Sequence, residues 1–135
     1  MLDLTLAIQL RNAGLTWTPA NGDRFVVTNA QMVDETFHLA DMVIEARELD
    51  TGTIFTFNGT TEWALDSVAQ DTTVWLPHEH QLRESLHGSF DSLTRTDQGF
   101  EVRVVTDGRE HSITDPGCEN AYARALLVVL SHHPR

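Results

Sequence analysis

The sequence predicts an α+β fold, with antiparallel sheet or sheets packed against N-terminal, central and C-terminal helices, and three observations carry that expectation. Apolar residues recur at helical spacing near both ends of the chain: Leu6, Leu10 and Ala13 at one, Tyr122, Ala125, Leu126, Val129 and Leu130 at the other. Between them lie runs rich in β-branched and aromatic residues, separated by turn signals such as Asp97-Gln98-Gly99 and Asp107-Gly108. Further helix signals are interspersed among those runs, so the simplest arrangement is one or two small sheets packed against helices.

Taken in order, the first helix is expected over residues 3–13, with Gly14 where a left-handed C-terminal cap sits. The turn-rich Pro19-Ala20-Asn21-Gly22-Asp23 leads into a short strand, Arg24 to Thr28. Thr36 to Arg47 and Thr53 to Phe57, joined through Asp50-Thr51-Gly52, read as an antiparallel hairpin. Asn58-Gly59 stops that strand, and Thr60 can cap a short helix carrying Glu62, Trp63, Ala64 and Ser67. Thr73 to Leu76 is extended, and Pro77 suits the first position of a helix running to His87, with Leu82 and Leu86 as its apolar face. Phe90 to Thr96, Phe100 to Thr106 and Arg109 to Thr114 form a three-stranded meander, and Asp115-Pro116 starts the last helix.

A chain of 135 residues fits a single domain over residues 1–135. Its 41% hydrophobic and 21% charged residues are those of a globular protein, and no run approaches the roughly 18 apolar residues of a membrane helix. Asp3 stands where a secretory signal carries lysine or arginine, and a lone Cys118 suits a reducing compartment, so the expected location is cytoplasmic. Nine basic against twenty acidic residues give a formal charge of −11. That field repels phosphate backbones and anionic lipid, which argues against direct nucleic-acid or membrane binding. It also suits an acidic inhibitor of a basic protein, although solubility explains the same charge.

The chain contains no G-x-x-x-x-G-K-[S/T], G-x-G-x-x-G or G-x-S-x-G, so the phosphate-cradling loops and the nucleophile elbow lose their usual support and no cofactor is expected. Among seven histidines, His80 shares i, i+4, i+7 spacing with Glu84 and His87, which places the three on one helix face as candidate metal ligands. Polar cover of a solvated face accounts for the same pattern. His78 and His80 would diverge on a helix, and His132 and His133 fall where chain ends fray. Cys118, early in a helix, has a route to a depressed pKa and hence to reactivity, with His111 and Asp107 or Asp115 as distant partners; a small apolar residue at the start of a helix is the alternative. Trp17, Trp63 and Trp75 stand beside turns or short elements, where an indole presents an apolar body and a polar N–H, and they are the candidate binding residues. Filling the seam between sheet and helices is their other possible role.

Leu10 to Pro19, Gly22-Asp23-Arg24-Phe25, Phe57 to Ser67, Trp75-Leu76-Pro77 and Gln81-Leu82-Arg83-Glu84 together resemble a family of small actinobacterial proteins that carry a pilus-assembly label. The resemblance covers nearly the whole chain and implies a compact bacterial domain. The label itself belongs to P-loop ATPases, and this chain has no P-loop. No catalytic residues carry over from the family.

The leading expectation is a non-catalytic binding or regulatory module whose partner is a protein or a small ligand, homodimerisation being compatible with it. The alternatives are a small enzyme using a metal at His80, Glu84 and His87 or the thiol of Cys118, and the acidic inhibitor.

Overall fold

The computed structural model describes residues 1–20, 22–27, 36–38, 44–49, 52–57, 67–69 and 73–132. The described residues form an α+β structure. In chain order its elements are α1 (Leu4–Asn12), β1 (Arg24–Val27), β2 (Thr36–His38), β3 (Ile44–Leu49), β4 (Gly52–Phe57), β5 (Ser67–Ala69), β6 (Thr73–Leu76), α2 (Glu79–Leu86), β7 (Phe90–Thr96), β8 (Gly99–Thr106), β9 (Arg109–Asp115) and α3 (Cys118–His132). The chain divides into two compact units, Met1–Thr16 with Pro77–Arg135, and Trp17–Leu76. No helix among the described residues is long and apolar enough to cross a membrane.

In the first unit, α3 has the longest apolar stripe: Ala121, Tyr122, Ala123, Ala125, Leu126, Val129 and Leu130 are buried. This stripe packs on β8 and β9 and meets α1 and α2. Strands β7, β8 and β9 form the meander that the turn signals predict, each neighbour antiparallel. Val102 and Val104 alternate with exposed Arg103 and Val105 along β8, so one face of the sheet is covered and the other solvated. A register shift between Phe90 and Ser92 leaves Asp91 as an extra residue in β7.

Local chemistry sets the helix ends. Asp3 and Ala13 are the caps of α1 rather than members of it, and Gly14, at φ +105°, donates its N–H to the Arg11 carbonyl at 3.1 Å. The central helix is shorter than expected at both ends. His78, with extended backbone, is its N-cap and donates its N–H to Gln81 Oε1 at 2.9 Å, which leaves Pro77 outside. At the other end His87 turns to φ +51° and opens a single 3-10 turn, His87–Ser89. The last helix starts at Cys118 instead of Asp115-Pro116. Asp115 completes β9, its Oδ1 accepts the Gly117 N–H at 2.9 Å, and the Gly117 carbonyl accepts the Ala121 N–H that opens the helix.

The described residues of the second unit form two sheets, ordered β2-β1-β6 and β3-β4-β5, all pairs antiparallel. The expected hairpin arm from Thr36 to Arg47 is divided: Thr36–His38 pairs with β1, and only Ile44–Leu49 forms the hairpin with β4. Ser67, expected on a short helix begun at Thr60, instead lies on β5, paired with Thr56; the rest of that expected helix lies outside the described residues. Ser67-Val68-Ala69 has little strand propensity of its own, and the ladder offered by β4 overrides it. All four residues of β1 are buried, as befits a central strand.

Gly99 gives the clearest test of this fold. It opens β8 at φ +123°, and a Cβ there would lie 2.5 Å from both the Asp115 carbonyl oxygen and the Pro116 Cα. Backbone atoms on both sides leave no flexible neighbour to yield. Gly99→Ala is expected to lose at least about 2 kcal/mol of stability, read by chemical denaturation, whereas Gly108→Ala, with open space around it, loses less.

Candidate functional site

The aromatic residues of the second unit are built on the β1–β6 ladder. Phe25 stands opposite Trp75 in the antiparallel register. Trp17, from the segment that precedes β1, stacks on Trp75 with ring centroids 6.2 Å apart and planes 8° from parallel, and tilts against Phe25 at 5.7 Å. The turn between them fixes the indole of Trp17: its Nε1–H donates to Asp23 Oδ2 at 2.8 Å, and the Ala20 N–H donates to the same oxygen at 3.0 Å. Asp23 itself is buried. Both indoles remain half-buried, and the Nε1 of Trp75 is buried with no hydrogen-bond partner among the described residues.

Two of the three tryptophans singled out by sequence are therefore brought together, while Trp63 lies outside the described residues. Sequence reasoning missed Phe25 and Asp23 as members of the same cluster. The Trp75 pairing depends on a register across some fifty residues of chain, which no local pattern reveals. The Asp23 bond was closer to hand, since a carboxylate at the end of a Pro-Ala-Asn-Gly turn is placed to accept N–H groups folded back on it.

His80, Arg83 and Glu84 of α2 and its cap His87 line an open pocket of about 380 Å³ with Phe90, whose ring lies under the Arg83 guanidinium at 4.5 Å. The three candidate ligands share this pocket. Helix α2 ends at Leu86, and His87 follows it as the cap at φ +51°. Among the described residues no group of three His, Cys, Asp or Glu side chains is disposed to hold a metal ion. His78 and His80 also differ from expectation: because His78 is an N-cap with extended backbone, the two rings stack at 5.7 Å instead of diverging.

Cys118 is the first residue of α3, and its thiol donates to Glu79 Oε1 at 3.3 Å. Burial, then the hydrogen bond and charge of Glu79, then the charge of Glu119, push the thiol up to about 11. The route to a depressed pKa at a helix N-terminus is closed here by desolvation and two carboxylates. Neither proposed acid serves His111. Asp115 Oδ2 accepts from Arg124 Nε at 2.9 Å, and Asp107 Oδ2 lies 3.2 Å from His132 Nδ1. His132, expected to be frayed, belongs to the last turn of α3, and its ring sits 5.6 Å from that of His111; His133 lies outside the described residues.

No family model, no curated protein and no solved structure matches the chain.

The thiol supplies a direct measurement. At pH 8, alkylation of folded Cys118 is expected to run roughly 100-fold slower than that of the unfolded chain, the ratio set by a pKa near 11 against an ordinary 9.0. Removing the carboxylate in Glu79→Gln speeds it. The sign for stability follows from the same shift: the unfolded thiol ionises first, so its contribution is complete below pH 9 and is lost as pH rises to about 11. Equal labelling rates in folded and unfolded protein would remove this account.

Proposed function

We propose that the protein is a non-catalytic binding module that holds a protein segment or small ligand through the Trp17–Trp75 pair. The observation that supports this reading is the pair itself: two half-buried indoles stacked within 8° of parallel, one of them fixed by a buried carboxylate. Rigid aromatic groups carry much of the energy at binding surfaces because little side-chain freedom is lost when a partner arrives. The carboxylate matters for the same reason. Asp23 takes both the Trp17 Nε1–H and the Ala20 N–H, so the ring orientation is set before any ligand binds.

The enzyme reading has less to stand on. Its thiol is held protonated at neutral pH, and its three metal-ligand candidates share a pocket without converging. The acidic-inhibitor reading rests on the net charge of −11 alone.

Titration with a panel of aromatic and aliphatic fragments, followed by NMR of 15N-labelled indole N–H groups, tests the proposal. Binding is expected to shift the Trp17 and Trp75 signals. Trp17→Ala weakens it by at least about 30-fold, the size of an interface hot spot, while Trp17→Phe retains most of it. Weak dependence on salt accompanies an apolar contact, whereas a steep fall in affinity with salt would favour the acidic-inhibitor reading instead. Unchanged affinity in a folded Trp17→Ala variant sinks the proposal.

A further inference from the structure

We infer that Thr106 and His111 hold one buried water molecule beneath the His132 ring, a hydration site built into the β8–β9 hairpin. Thr106 is 3% exposed, and neither its Oγ1 nor the buried Nε2 of His111 has a hydrogen-bond partner among the described residues. The register puts both on one face of the sheet: His111 stands opposite Val104, and Thr106 lies two residues beyond Val104 on the same strand. Both thus face the side that α3 covers.

Diagonal neighbours of this kind have Cα atoms roughly 7–8 Å apart, and since Thr106 Oγ1 and His111 Nε2 make no direct hydrogen bond, a single bridging molecule is what joins them. The chemistry of the two groups fits a water. A hydroxyl both donates and accepts, and a neutral imidazole nitrogen does either according to its tautomer, so one molecule with two donors and two acceptors serves both. Two buried polar groups left without partners cost more than immobilising one water does. A buried water needs two to four polar partners. The third is at hand in His132, whose ring lies 5.6 Å from that of His111 while its Nδ1 is turned to Asp107 Oδ2 at 3.2 Å. A metal ion in this place does not fit, because these side chains do not form a metal-holding group.

The test compares the wild-type chain with Thr106→Val and Thr106→Ser. A high-resolution crystal structure is expected to show an ordered water at hydrogen-bond distance from Thr106 Oγ1 and His111 Nε2 in wild type and Thr106→Ser, and none in Thr106→Val. In solution, a water cross-peak to the His111 side chain should be lost in Thr106→Val and kept in Thr106→Ser, with the His111 ring-nitrogen shift moving only in the first. A direct Thr106–His111 bond, a chain segment occupying the place, or a ring-nitrogen shift unchanged in Thr106→Val would each overturn the inference. Should Thr106→Val not fold, the wild-type cross-peak decides alone: its presence supports the water and its absence removes it.

Discussion

A fifteen-residue helix with seven buried side chains carries more apolar surface than one neighbour can cover, and α3 is covered by β8 and β9 together with α1 and α2. Much else in the first unit follows from that demand. Val102 and Val104 face inward because α3 lies over β8, and Leu82 and Leu86 of α2 and Leu6 and Leu10 of α1 are buried alongside. Each such side chain contributes roughly 1.5–3 kcal/mol by leaving water. The polar groups around α3 are arranged to let it begin and end cleanly: Asp115 takes the Gly117 N–H and pairs with Arg124, the Asp3 N–H donates to Asn120 Oδ1, and His132 closes on Asp107.

Where the sequence pattern is strong and the contacts are local, reading and structure agree. The meander is legible because Asp97-Gln98-Gly99 and Asp107-Gly108 specify tight turns, and Asp107 and Gly108 do take positive φ. The terminal helices are legible because apolar spacing reports the face that will be buried. Helix ends were misplaced by one to three residues, since Pro77 and Pro116 precede the caps instead of occupying the first turn, and the capping contacts of Gln81 and Asp115 are not visible as periodicity. The second unit was harder for a different reason. Its strands are three to six residues long, and which segment pairs with which is decided by partners distant in sequence: β2 joins β1, and β5 joins β4.

The candidate site divides along the same line. Trp17 and Trp75 could be named from residue type, but their stacking and the role of Asp23 belong to the ladder and the turn. The reverse holds for Cys118 and for His80, Glu84 and His87. Their spacing suggested chemistry that only the surroundings decide: Glu79 and Glu119 surround the thiol and raise it, and His80, Glu84 and His87 line one pocket with no metal-holding group among the described residues. A rule of spacing assumes that solvent is the background, and at Cys118 that assumption fails.

The extra residue in β7 bears on how this protein behaves at high concentration. An edge strand exposes unpaired N–H and C=O groups to which another chain can add a strand. In the β7–β9 sheet both edges are spoiled for such a visitor. At one, the Asp91 bulge interrupts the straight run of backbone groups and places a carboxylate beside it; at the other, β9 opens with exposed Arg109 and Glu110. Growth of this sheet into a fibril would have to desolvate those charges while straightening the bulge, so the irregularity in β7 serves as a guard against aggregation.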